Sequence, residues 1–187
     1  MYKAPKIIEK KFLWNGKYLR SFALTFKNSK GNDVLWEAIE RVGCNGIACV
    51  IPITVDRKVI IIKQFRPPIG KFVIEFPSGL NDKNEPLIDV AMRELFEETG
   101  YKAETINQIA VGPVSAGLST EVLTIFLAKD VYLNGSQTLD EAEEIEVFSV
   151  SMDRFNEEVK MLENEDTYVD LKLYGLFEYA MRYYEQD

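Results

Sequence analysis

Three carboxylates, Glu94, Glu97 and Glu98, crowd into the stretch 79–101, GLNDKNEPLIDVAMRELFEETGY. Leu87, Val90, Ala91 and Leu95 recur at helical spacing, so this stretch reads as a helix with one apolar face. Pro86 suits its first turn, where a missing N–H costs nothing, and Gly100 suits its C-terminal stop. At about 100° per residue, Glu94 and Glu98 lie about 40° apart, and Glu97 about 60° to the other side of Glu94. All three acids therefore share one helix edge, near the negative end of the helix dipole, where like charges repel. Arg93 is the one cation beside the acids within the helix. A divalent cation with a preference for oxygen, such as Mg²⁺, would relieve the repulsion and could bridge to substrate phosphates. Taken alone, the same three acids also fit a solvated helix face.

The composition narrows the chemistry. The chain has 187 residues, a net charge of −8, 47% apolar and 28% charged residues, and no histidine. Those fractions are ordinary for a globular protein, and the length suits one domain with or without a small arm. An acidic chain is a poor general binder of nucleic acid. Without histidine, a general base must be a carboxylate, a lysine, a tyrosine or a metal-bound hydroxide. No apolar run approaches the ~18 residues of a transmembrane helix, and the start MYKAPKIIEKKF is too charged for a signal peptide. No membrane contact and a cytoplasmic location are expected, with the nucleus open to a eukaryotic protein. Cys44 and Cys49 have opposite strand parity, which predicts two buried free thiols in a reducing compartment.

The elements that must hold the acids follow from the patterning. Residues 1–42 read as a small β arm: 11–14, the Asn15-Gly16 turn, 18–26, a second turn over 28–33, and 34–39. Such an arm buries little by itself and must lean on the main body or on another subunit. Residues 47–54, 59–63 and 72–76 are apolar strands, with Pro52 suggesting an edge or a bulge. After the helix come a broken strand over 103–114, a loop over 115–120, a strand over 121–128, a surface loop over 130–140 and a strand over 144–150. Ser151 is expected to cap a helix ending near 162, and Thr167 or Asp166 a last helix ending near 184, with Val169 facing inward from it. An α+β fold results, a mixed sheet with helices packed against it over 43–187 and the β arm over 1–42.

The full pattern is more telling than its parts. Gly79, then Glu85, then Arg93-Glu94-Leu95, Glu97-Glu98 and Gly100-Tyr101 resemble the signature of the Nudix hydrolases with no departure. The resemblance implies an α/β/α sandwich whose loop–helix–loop binds Mg²⁺, with Mn²⁺ as a substitute, and cleaves a nucleoside diphosphate linked to another moiety. It implies Glu94 and Glu98 as the main metal ligands, Glu97 as an accessory one, and the backbone carbonyl of Ser78 as a further ligand. Glu97, Glu98 and Arg93 thereby belong to the catalytic set, with Arg93 and Glu85 bracing the motif.

Flanking residues are similar to the ADP-sugar pyrophosphatase branch: Ile62-Lys63-Gln64-Phe65-Arg66-Pro67-Pro68, Glu75-Phe76-Pro77-Ser78-Gly79-Leu80, Trp36-Glu37 and Gly117-Leu118-Ser119. This implies hydrolysis of ADP-ribose or an ADP-sugar to AMP and a sugar phosphate, by a homodimer that exchanges its N-terminal arms. The adenine would lie between Trp36 of one subunit and Tyr18 of the other, where the human member has Trp. Arg41, Arg66 and Glu37 would contact substrate, with Leu80 and Gly117 lining its site. A carboxylate before the strand at 144 would act on the attacking water; Glu141, Glu143 and Glu144 are candidates, and the alignment favours Glu143. The chain departs from the branch at Ala116, where the branch carries Pro, and this bears on substrate choice. Two other readings stand beside the first: a Nudix hydrolase of GDP-mannose, UDP-glucose or an oxidised nucleoside diphosphate, and a silent module that binds a nucleotide-sugar without cleaving it.

Overall fold

The computed structural model describes residues 4–141 and 143–185. Strands β1 (Ile7–Asn15), β2 (Leu19–Lys27) and β3 (Asp33–Arg41) form an antiparallel sheet in that order. Both predicted turns are present. Gly16 N–H donates to the Leu19 carbonyl, and the Asn28 side chain accepts from the N–H groups of Lys30 and Asn32. Only Phe22 and Ala23 of this sheet are buried, and every residue of β1 is exposed.

The rest is one mixed sheet between helical layers. Its strands are β4 (Ile47–Thr54), β5 (Lys58–Arg66), β6 (Lys71–Glu75), β7 (Ser78–Leu80), β8 (Tyr101–Lys102), β9 (Thr105–Pro113), β10 (Val122–Leu133), β11 (Ile145–Ser151) and β12 (Thr167–Val169). The order is β12-β6-β5-β4-β10-β8, with β11 on β5, β7 on β4 and β9 on β10. Pairs β4/β10 and β6/β12 are parallel, and the others antiparallel. Helix α1 (Leu87–Thr99) covers one face; α2 (Phe155–Leu162) and α3 (Leu171–Tyr184) cover the other.

Strand alternation makes the sandwich. Ala48 and Val50 of β4 and Ile60 of β5 meet Val90, Ala91 and Leu95 of α1. Cys49, Ile51 and Ile53, with Val59 and Ile61, meet Phe155, Val159, Leu173 and Phe177. Both faces of β4, and of β5 over Val59–Ile62, are thus dry, which is why these segments read as unbroken apolar runs. Each fully buried Ile or Leu contributes about 1.5–3 kcal/mol. The α+β class and the α/β/α layering match the sequence expectation.

Several local expectations do not hold. Pro52 is neither at an edge nor on the bulged strand; it lies buried inside the sheet, opposite Ala128 of β10. Its missing N–H faces the other side, as does that of Val50, which reaches the Pro77 carbonyl. On that side β4 pairs with β7 only through Cys49 and with β5 only at Ile53. Pro52 therefore fills the fork between two partners, where no ladder bond is lost. Ser151 ends β11, and a single 3-10 turn (Met152–Arg154) precedes α2; the Ser151 N–H donates to Glu158 instead of its side chain capping a helix. Thr167 and Val169 belong to β12, whose pairing with β6 outweighs the turn chemistry of Asp166, and Asp170 caps α3 through the Lys172 N–H. Residues 130–133 continue β10 rather than opening a loop. Cys49 is buried but Cys44 is only half-buried, and both are free.

Candidate active site

The expected helix is α1. Pro86 precedes it with φ −57°, and its carbonyl accepts from the N–H groups of Asp89 and Val90. Gly100 ends it with φ +74°, its N–H returning to the Phe96 carbonyl. A side chain at Gly100 would be strained at that φ and would also strike the Gly135 carbonyl oxygen, 2.3 Å from an added Cβ.

The apolar face of α1 docks on β4 and β10 and turns its acidic edge toward β7. Glu98 is 3% exposed, and its carboxylate accepts from the Ser78 N–H at 2.9 Å. Glu94 lies against the next residue: a Cβ on Gly79 would sit 1.9 Å from the Glu94 carboxyl carbon. Gly79 thus has a steric reason, the close approach of a carboxylate to the strand backbone. The loop between β7 and α1 is fixed by Asn81, which accepts from the Glu85 N–H and donates to the Glu85 carbonyl.

Arg93 joins the acids. Its Nε and Nη2 donate to Glu85, and its Nη1 donates to Glu94 at 2.7 Å and to Glu97 at 2.8 Å. Burial works against its charge, but Glu85, Glu97 and Glu94 outweigh that and hold its proton more tightly than usual. Burial raises the Glu98 carboxyl well above its ordinary value; the Ser78 N–H opposes this, and the charges of Glu94, Glu143 and Glu75 add to it. Burial likewise raises Glu94, against the pull of Arg93.

Among the described residues, no three acidic, cysteine or histidine side chains converge into a finished metal cage. The reason is visible. Arg93 draws Glu94 and Glu97 to itself while Glu98 turns to β7. The donor set nonetheless suits a hard divalent ion. It offers only oxygen, it carries excess negative charge at low exposure, and a guanidinium already sits where a cation is wanted.

These residues line a cleft of about 980 Å³. Ser78, Leu80, Arg93, Glu94, Glu97 and Glu98 belong to it, as do Arg41, Arg66 and Glu143. Of the three candidate bases, Glu143 lines the cleft, where its carboxylate accepts from the Asp140 N–H, and Glu141 and Glu144 do not. Arg41 and Arg66 are each held by a glutamate: Nε of Arg41 donates to Glu121 at 2.6 Å, and Nε of Arg66 to Glu75 at 2.7 Å. Sequence reasoning missed Glu75 and Glu121 as partners. A charged residue inside the apolar run FVIEF was the available signal for Glu75.

The arm residues lie elsewhere. Tyr18, Trp36 and Glu37 are exposed and do not line the cleft of their own chain. Trp36 donates from Nε1 to the Gly117 carbonyl at 2.9 Å, and Ile39 exchanges backbone hydrogen bonds with Leu118 and Thr120. Strand β3 and the loop carrying Ala116 and Gly117 are therefore joined.

A mixed sheet between helical layers, with a glutamate-edged helix pressed on a short strand beside a large cleft, defines a Nudix domain. The model of the NUDIX domain matches residues 45–171, and the chain belongs to the Nudix hydrolase family, enzymes that use a divalent metal. It is 36% identical over 183 residues to an uncharacterized Nudix hydrolase of Schizosaccharomyces pombe, covering 90% of this chain and 89% of that one. It is 30% identical to the ADP-ribose pyrophosphatase of Bacillus subtilis, covering 87% and 85%. The crystal structure of an ADP compounds hydrolase superposes with a TM-score of 0.78 over 99% of this chain and 96% of that one, at 18% identity, which speaks for the fold.

Proposed function

We propose that the protein hydrolyses the pyrophosphate bond of ADP-ribose and related ADP-sugars, giving AMP and a sugar phosphate, with Mg²⁺ as its metal and Mn²⁺ as a substitute. One observation carries the reading: Glu94 and Glu98 meet the backbone of residues 78–79 in the same cleft that presents Arg41 and Arg66. The similarity to an ADP-ribose pyrophosphatase along most of both chains supports the adenosine and the sugar.

Glu94, Glu98 and the Ser78 carbonyl would hold the metal, with Glu97 as an accessory ligand. Bound there, a divalent ion supplies charge neutralisation on the diphosphate and a more acidic water. The chain does the rest. Arg41 and Arg66 each commit Nε to a glutamate and keep two terminal nitrogens for phosphate oxygens, so the guanidinium planes are set before substrate arrives. Pro67 and Pro68 stiffen the loop after Arg66. Glu143 takes the proton of the attacking water. Arg93, braced by Glu85, restrains Glu94 and Glu97.

The active form is a homodimer in which residues 1–42 form the exchanged unit. The edge strand β1, exposed along its whole length with Ile8, Leu13 and Trp14 at 50–58% exposure, supports this, because such a strand wants a partner. Tyr18 and Trp36 then reach the adenine from two subunits, with Glu37 beside it and Leu80 and Gly117 lining the site. Two free thiols fit a reducing cytoplasm.

The test is a panel of ADP-ribose, ADP-glucose, UDP-glucose, GDP-mannose and diadenosine phosphates with Mg²⁺, with products separated by chromatography. AMP from ADP-ribose well ahead of the rest is expected. Another sugar in front would refute the ADP-ribose assignment and direct attention to Ala116. Tight binding with no cleavage would mark a silent module.

A further inference from the structure

Of the buried side-chain nitrogen and oxygen atoms among the described residues, Gln64 Oε1 is the one without a hydrogen-bond partner. Gln64 is 8% exposed, so water does not freely compensate for the loss. Its strand cannot shift to find a donor: β5 is paired on both sides here, with Val73 of β6 and Ile145 of β11 opposite Gln64. The side chain borders the cleft, on the same strand face as Arg66 two residues on, and Glu75 lies on that face of β6. Native proteins seldom keep a buried acceptor unpaired unless something else supplies the donor.

Resting on the hydrolase reading above, we propose that Gln64 is a specificity-determining residue whose Oε1 accepts a hydrogen bond from a hydroxyl of the sugar beyond the diphosphate. The chemistry selects the donor. At neutral pH the bridging diphosphate has only acceptor oxygens, so it cannot satisfy a carbonyl oxygen. A sugar hydroxyl can donate to Gln64 and still accept from elsewhere. A site built around such a bond rejects ligands that lack the hydroxyl, because the acceptor is then buried unpaired. Sequence reasoning gives Gln64 no role of its own within the run 62–68, because a neutral amide within a strand has no spacing signature.

The experiment compares ADP-ribose with the β-methyl ester of ADP, which keeps adenosine and both phosphates and replaces the sugar by a methyl group. Gln64→Met keeps the length of the side chain and removes the acceptor. The wild type is expected to favour ADP-ribose. Gln64→Met is expected to lower kcat/KM for ADP-ribose about ten- to a hundredfold and to leave the methyl ester within about twofold, with an unchanged or higher Tm, since an orphan acceptor has been removed. A wild type that cleaves both equally, or a variant that loses both activities equally or neither, would overturn the inference alone. An equal loss would place the amide on the adenosine or the diphosphate. A markedly lower Tm would also overturn it, by giving the amide a role in the fold. A wild type inert toward both compounds would overturn the proposed function, and this inference with it.

Discussion

Gly79→Ala separates the placement of Glu94, the proposed metal ligand, from the stability of the fold. The added Cβ would stand 1.9–2.3 Å from three atoms of the Glu94 side chain, whereas ordinary contact begins at 3.4 Å. The obstacle is the end of a flexible side chain, so Glu94 retreats by roughly 1.5 Å and the strand stays in place. Gly79 does not adopt a left-handed φ, so alanine is tolerated by the backbone and gains about 0.4–1 kcal/mol by restricting the unfolded chain. Displacing a reacting group by about 1 Å costs roughly a hundredfold in rate. The expected result is a fall in kcat of about 10²-fold with a Tm within a few degrees of wild type, measured by Mg²⁺-dependent AMP release and by thermal melting. A variant with full kcat would refute the claim that Glu94 works from its position over β7. A variant that unfolds would refute the claim that the clash is absorbed by a side chain.

Glu98→Gln should cut turnover by about 10²–10³-fold, while the amide oxygen still accepts from Ser78; an unimpaired variant would remove Glu98 from the metal set. In EDTA the same variant should melt higher than wild type at pH 7. The folded pKa of Glu98 is raised by burial, so its stabilising contribution is complete below the unfolded value near 4.5 and declines as pH climbs toward the folded value. The advantage should therefore vanish near pH 4, and one that persists there would contradict the burial argument. Arg66→Met leaves the Glu75 carboxylate, 12% exposed, without its partner; a loss of about 1–2 kcal/mol is expected, discounted because Arg66 is more than a third exposed. Adding Glu75→Gln should restore the Tm but not the activity, and a restored activity would deny Arg66 a substrate contact. If the proposed dimer forms, sedimentation should give twice the 21.4 kDa chain mass; a monomer would refute the proposed two-subunit adenine site.

Legibility tracked locality. Helix α1 was readable because its face, its acidic edge and its glycine stop all lie within one short stretch. Strands β4 and β5 were readable because burial on both faces leaves unbroken apolar runs. What depended on distant pairing was not. Residues 167–169 resemble a helix start, yet they add to β6 far upstream. Pro52 argued for an edge, because nothing near it in the chain reveals a fork between two partner strands. Arg41 and Arg66 stood out as cations, but the glutamates that aim them appear only once the strands are assembled.

The seating of α1 also sets the order in which the enzyme can come into being. Four of the seven buried residues that pack beneath the helix, Ile106, Phe126, Ala128 and Val131, come from chain made after the helix itself. The parallel ladder that completes this platform joins Cys49 to Ile125, and such long-range pairing closes late. A nascent chain that has just exposed its glutamates therefore lacks most of the platform that aims them. Metal binding should appear only after β10 is released from the ribosome, which makes the ion a reporter of a finished fold rather than a seed for it.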